Sequence, residues 1–523
     1  MTQESSSLLE CQVCIVGTGI AGLALASQFS STSFDVVMLE SGEWNGDNGA
    51  NNLNRTKDVG LSFRTPTVGQ NRGFGGTTKL WGGQCARLDT FDFKPNPNLD
   101  DKGWPFPYSE MPTYYERALE LFSLPKSGLD HATTQKFPLA LAPFNPDNLR
   151  STFSVFSPKR DLGRELQAKI KRSRNIRVVT DATVTKLLEK KTCSELESVQ
   201  YRSTTGRTCY VKAKYFILAC GPIEIPRLLL WSRDKQACGI GNQNGLVGRY
   251  LQDHLICSPA KIVSQDPRPL MSIFEIVRKR NIRYSQKLSV SDKIKVSKGA
   301  LNASASVVFD YENEKIVEPL TRVYRSIKSL KPREFDWNDL ALLTKNPLAA
   351  IGYGAQNMGY NIPGLLQPKQ VRLSCVTGQE PNKQSLIELD EEKDKYGVPL
   401  PKVDWKIEGN ERTTIQSLVE LCSQEFQRLK LGQIKVEPWL GDSTSDFSTR
   451  VQPILHPSGT TRMADSPTKG VVDVNGCVFG QPNLYVASSS VFPNAGHANT
   501  GLTIAAMAIR LFDHLKPKLR QKS

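Results

Sequence analysis

The clearest pattern along the chain is an apolar run, Cys11-Gln-Val-Cys-Ile-Val16, that breaks at Gly17-Thr-Gly19-Ile-Ala-Gly22 and resumes as a small apolar segment at helical spacing. A short apolar run bounded by glycine predicts a buried strand, and the segment after it predicts a helix. A second run, Phe34-Asp-Val-Val-Met-Leu39, ends on Glu40 and completes a strand-turn-helix-strand unit. Periodicity then lapses over 41–101, rich in Gly and Asn, until Gly103-Trp-Pro-Phe-Pro107 punctuates the chain and helical spacing returns over 108–124. Strand-like runs follow at 176–179, 183–188, 198–204, 209–213 and 215–219, with Thr204-Thr-Gly206 placed as a hairpin turn. Residues 252–441 mix strands and helices without nucleotide-type glycines, and the last stretch returns to strand-then-helix order at 483–487 and about 500–515.

The first turn carries chemistry. Gly17 permits a tight turn, Gly19 lets backbone N–H groups approach a pyrophosphate, and Gly22 lets the helix lie close to the strand. The helix N-terminus adds partial positive charge. Glu40 stands at the spacing from which a carboxylate accepts hydrogen bonds from a ribose. An adenine-dinucleotide site is the expectation.

Composition narrows the class. At 523 residues the chain calls for two interleaved or sequential domains. A mean hydropathy of −0.36, with no uncharged apolar stretch of about 20 residues, excludes an integral membrane span and predicts a soluble protein. Residues 1–10 show neither a basic n-region nor an apolar h-region, so a cytoplasmic location is expected. The 11 scattered cysteines read as reduced thiols. Cys11 and Cys14 sit on a predicted strand that points them to opposite faces, and no second pair follows, so no metal is expected. The net charge of +15 gathers at 277–283 and 514–522. With no aromatic residues interleaved as a stacking platform, a solvated basic surface is favoured and no nucleic-acid partner is expected.

Four further segments stand out. Arg72-Gly-Phe-Gly75-Gly76-Thr77-Thr-Lys-Leu-Trp81-Gly-Gly83 offers permissive backbone around an ordering tryptophan. Tyr215-Phe-Ile-Leu-Ala-Cys-Gly221-Pro222 through Leu230 predicts another strand-turn-helix. His456-Pro-Ser-Gly459 sets one of only five histidines beside a glycine turn, and Pro493-Asn-Ala-Gly496-His497-Ala-Asn499-Thr500 opens an apolar helix. Histidine is the usual proton acceptor near neutral pH.

Together with Val247-Gly-Arg-Tyr-Leu-Gln-Asp-His254, these motifs resemble the glucose-methanol-choline (GMC) oxidoreductases, FAD-dependent enzymes, nearly end to end. The resemblance implies an α/β fold: a Rossmann-like FAD-binding domain, discontinuous in sequence, joined to an α+β substrate domain on a mainly antiparallel sheet facing the flavin. It places the FAD-binding parts at 1–101, 176–251 and 451–523, a connection at 102–175 and the substrate domain at 252–450. It implies oxidation of an alcohol CH–OH group by proton abstraction and hydride transfer to flavin N5, on sugars, polyols or sugar-derived compounds. His456 falls on the family's base and Asn499 on its hydrogen-bonding partner, with His497 as runner-up for that second role. The cofactor contacts implied are Gly17, Gly19, Ile20, Ala21, Gly22, Glu40, Gly75, Gly76, Thr77, Trp81, Val184, Asn499 and Thr500.

Three departures modify the match. Relatives that attach FAD covalently do so through a histidine where this chain has Leu80, so noncovalent FAD is expected. Ile225 replaces a usual Ser or Thr, and Thr500 replaces a frequent Pro. No second dinucleotide fingerprint appears, since 239–245 lacks the spacing, which leaves oxygen, a quinone or another protein as electron acceptor. The alternatives are a non-redox lyase that keeps FAD as structure and a flavin-holding, membrane-peripheral binding protein.

Overall fold

The computed structural model describes residues 8–46, 49–63, 68–96, 103–126, 142–191, 193–279, 282–311, 316, 318–323, 336–357 and 368–521. Residues 1–7, on which the absence of a leader was read, lie outside them, as do Lys102, Arg280, Asn281 and Lys522 of the segments singled out above.

The strand Leu8–Val16 is the centre of a seven-stranded sheet. Val36–Leu39 pairs with it in parallel on one side, followed by Ile176–Val179, and Thr208–Leu218 pairs in parallel on the other. These inner strands read as continuous apolar runs because both faces are covered. The helix Ile20–Phe29 covers one face and is itself roofed by Thr500–Arg520, where Phe29 meets Phe512 edge-on at 5.0 Å. Burying each such ring stabilises the fold by roughly 1.5–3 kcal/mol.

The hairpin at Thr204–Gly206 forms as expected, joining Leu196–Arg202 to Thr208–Leu218. The two strands expected at 209–213 and 215–219 are one continuous strand, a correction with a simple cause. Its first half pairs antiparallel with Leu196–Arg202, and its second half accepts Leu484–Val486 in parallel, so the partner changes while the strand runs on. The helix expected over 108–124 is a 3₁₀ turn, Tyr108–Glu110, followed by Pro112–Leu121, whose proline sets the first turn.

A second sheet of nine strands is antiparallel. Its main path runs Gln433–Val436, Leu255–Val263, Pro368–Thr377, Ala303–Tyr311, Ile282–Val290, Leu149–Phe156 and Gln84–Cys85. The stretch 102–175 thus contributes one strand to this sheet as well as connecting segments. Because directly paired residues share a face, the register divides the sheet cleanly. Leu288, Ala305, Leu373 and Cys375 lie on an apolar face in one core with Leu418, Cys422 and Phe426 of the helix Asn410–Arg428. The opposite face carries Thr152, Ser154 and Phe156, paired across with Lys287, Ser285 and Arg283, and continues through Ser289 and Ser304. Ser154, Ser289 and Ser304 are buried although polar, so protein covers this face too.

All eleven cysteines are free, with Cys11 half-buried and Cys14 buried. Among the described residues no helix is long and apolar enough to cross a membrane, and no cluster could hold a metal ion.

Candidate active site

At the carboxyl ends of the parallel strands, where open α/β sheets bind ligands, lies a cavity of about 500 Å³. The helix Ile20–Phe29 presents its N-terminus there, with Gly19 as N-cap and no side chain capping it. Thr500–Arg520 does the same behind Asn499. Two open helix ends give one cavity two regions of partial positive charge.

The glycines divide by what they face. Gly17 has φ 102° and a Cβ there would sit 2.7 Å from the carbonyl oxygen of Ala219. A Cβ on Gly22 would lie 2.1 Å from the Gly17 oxygen, and one on Gly75 would lie 2.9 Å from Gly163 Cα. Neither Gly22 nor Gly75 lines the cavity; both let backbone segments meet. Gly19 differs: a Cβ there meets no protein atom within 4 Å and would stand in the cavity itself. A cradle that only a side chain at this turn would fill, with helix N–H groups around it, fits a bound pyrophosphate. Ile20, Ala21, Glu40, Gly76, Thr77, Trp81, Val184 and Thr500 all line the same cavity. The Trp81 indole N–H donates to the carbonyl of Arg160, which fixes the ring against the cavity.

Glu40 has a fuller role than its spacing indicated. One carboxylate oxygen accepts from the backbone and hydroxyl of Thr18, and the other from the backbones of Gly42 and Gly73. These donors fill about four lone-pair sites, the capacity of a carboxylate. Glu40 thereby knits the phosphate turn to the second glycine loop.

His456 and Asn499 line the same cavity. The Asn499 side-chain oxygen accepts no capping hydrogen bond from its own helix, and among the described residues its carboxamide is open to a ligand. His497 does not line this cavity, and its Nδ1 is buried without a partner among the described residues. The neighbours of His456 are the residues that sequence reasoning passed over. Asp253 Oδ1 accepts from the backbone N–H of both His254 (2.8 Å) and His456 (2.9 Å). The two imidazoles meet through their Nδ1 atoms at 3.0 Å, and His254 Nε2 lies 3.2 Å from the carbonyl oxygen of Ala495. Burial, then the charges of His254 and Lys287, push His456 down to about 3; burial, with a smaller effect of Lys287, pushes His254 down to about 4. Both rings are therefore neutral near pH 7. The Asp253-His254 pair was visible as a motif, but nothing in the sequence tied it to His456.

Lys287 is the other charge that matters. It sits half-buried on the polar face of the large sheet, and burial lowers its ammonium to about 8. No salt bridge joins it to a carboxylate among the described residues, and its charge is felt by His254, His456 and His497.

Comparisons with known proteins agree with this geometry. Two family models, both described as GMC oxidoreductase, match residues 164–256 and 381–508. Paromamine 6'-oxidase of Streptomyces fradiae is 24% identical, over 95% of this chain and 90% of its own. The 2-methyl-1,2-propanediol dehydrogenase of Mycolicibacterium austroafricanum is 22% identical, over 98% and 96%. Among solved structures, pyridoxine 4-oxidase from Mesorbium loti superposes with a TM-score of 0.58 at 16% identity, covering 97% of this chain and 99% of that one.

Proposed function

Since the chain belongs to the GMC oxidoreductase family and is an FAD-dependent alcohol oxidoreductase, we propose that it oxidises a CH–OH carbon of a sugar, polyol or sugar-derived alcohol with His456 as base. The observation that carries this is the buried polar face of the large sheet, whose serines, Thr152 and Lys287 share a side with the cavity-lining Phe156. That face reaches the cavity through Phe156 and its strand partner Gln84, both of which line it. The Gln84 carboxamide offers a hydroxylated substrate a donor and an acceptor, and an apolar alcohol makes no use of them.

When bound, FAD supplies the hydride acceptor, N5. His456 Nε2 takes the hydroxyl proton, and the Asn499 carboxamide donates to the substrate oxygen and holds its C–H toward the cavity interior. Asn499 heads the helix whose N-terminal dipole favours negative charge developing there. In this reading 1–101, 176–251 and 451–523 form the cofactor-holding part, supported by the docking of Leu484–Val486 on Thr208–Leu218, and 252–450 carries most strands of the large antiparallel sheet of the substrate part. Anaerobic titration of the yellow protein with neutral polyols tests the reading. Bleaching of the flavin supports it; a flavin that no alcohol reduces supports the lyase instead. Peroxide release under air separates an oxidase from an enzyme that passes electrons to a quinone or protein.

The flavin is held without a covalent link. Leu80 lines the cavity, 54% exposed, at the position where attachment would need a nucleophilic ring. Acid precipitation is expected to leave all flavin in the supernatant; colour retained in the pellet refutes this.

Lys287 sets charge preference. A half-buried cation without a carboxylate favours neutral or acidic hydroxy compounds over aminated ones. Lys287→Met is expected to shrink the kcat/KM ratio of a sugar acid to an amino sugar about ten-fold, the effect of ~1.4 kcal/mol. An unchanged ratio removes Lys287 from the substrate wall.

A further inference from the structure

We propose that His254 is a positioning residue that locks His456 in one tautomer, with the proton on Nδ1 and Nε2 bare. A carbonyl oxygen only accepts, so the 3.2 Å contact between His254 Nε2 and Ala495 O requires the hydrogen of His254 to be on Nε2. A neutral imidazole carries one ring hydrogen, so His254 Nδ1 is an acceptor. The 3.0 Å contact between the two Nδ1 atoms then needs its hydrogen from His456. That leaves His456 Nε2 without a proton. This nitrogen has no hydrogen bond to the protein among the described residues, on a side chain that lines the cavity.

The consequence reaches both active-site loops. His254 is fully buried and cannot exchange its Nε2 proton for a water contact. Its acceptor, Ala495, belongs to the loop that leads into Asn499. The carboxylate of Asp253 fixes the backbones of His254 and His456 alike, so the rings cannot drift apart without breaking two further hydrogen bonds. A free imidazole interconverts between tautomers; here a chain of three groups, Ala495 carbonyl, His254 and His456, permits one. The arrangement performs for this histidine what a carboxylate does in a serine-protease triad, where the partner of Nδ1 holds the base in its working tautomer. Here the partner is uncharged, so it orients the ring without stabilising an imidazolium.

The catalytic meaning of the lock rests on His456 being the base, but the place of the proton does not, and the experiment separates them. The FAD-loaded enzyme is labelled with ¹⁵N-histidine; with only five histidines, the ring signals of His456 are those lost in His456→Ala. At pH 7, wild type is expected to show a bare Nε2 and protonated Nδ1 on His456, and the reverse on His254. His254→Asn places a carbonyl oxygen where Nδ1 was and is expected to keep the His456 pattern. His254→Phe removes the acceptor and is expected to lose it. Protonated Nε2 or a charged His456 in wild type overturns the proposal, as does a pattern that survives in His254→Phe or fails to survive in His254→Asn. If His254→Phe does not fold, the opposite tautomers of the two wild-type rings decide. A His456 locked as described whose removal leaves flavin reduction by D-sorbitol or another active polyol unslowed refutes the base, not the lock.

Discussion

Replacing His456 by alanine is expected to slow anaerobic flavin reduction by about 10²- to 10⁴-fold while the protein still purifies yellow. That range corresponds to ~2.7–5.5 kcal/mol of barrier. The size follows from what the ring provides. Burial holds it neutral, with its acid form pushed down to about 3, so it is competent across the physiological range. Cofactor retention is expected because His456 is one of many wall residues and no part of the phosphate turn Gly17–Gly22. Stopped-flow reduction with an active polyol measures the effect. Bleaching at the wild-type rate would sink the assignment, and a colourless variant would show the ring to be structural.

The second large effect concerns Gly19. Gly19→Leu is expected to fold with wild-type thermal stability and to purify with less than about a tenth of the flavin, a loss exceeding ~1.4 kcal/mol of binding. The two halves of this outcome have different origins. Nothing in the protein lies within 4 Å of a Cβ at that position, and its φ of −70° suits any residue, so the fold has no quarrel with a side chain. The side chain would instead occupy the space in front of the helix N-terminus. Gly22→Val is the control, because a Cβ there strikes the Gly17 carbonyl at 2.1 Å and should cost roughly 1–3 kcal/mol of stability with or without cofactor. Absorbance of the purified protein and melting curves with and without added FAD separate the two. Full flavin in Gly19→Leu would mean that the phosphates bind elsewhere.

The nucleotide-binding unit was legible from the chain because each of its signals is local: an apolar run, glycines at fixed intervals, a carboxylate after the second strand. The hairpin at Thr204–Gly206 was legible for the same reason. What escaped was non-local. Glu40 was legible as a carboxylate after the second strand, but spacing reveals nothing of Gly73, whose N–H it also binds across 33 positions. The strand Thr208–Leu218 looked like two because its partners change halfway, a property of the sheet and not of the strand. The polar face of the large sheet alternates as any half-exposed strand would, and only the register shows that Ser154, Ser289 and Ser304 are buried together. His254 was part of a recognisable motif, but its meeting with His456 spans 202 positions.

The roof over Ile20–Phe29 has a consequence for biosynthesis. The helix Ile20–Phe29 is translated long before Thr500–Arg520, so in the interval Phe29 and its neighbours wait for Phe512 with their apolar side uncovered. Such waiting surfaces are what chaperones shield and what aggregation exploits. A polypeptide stalled or cleaved before Thr500 lacks that helix and the partial positive charge its N-terminus lends the cavity.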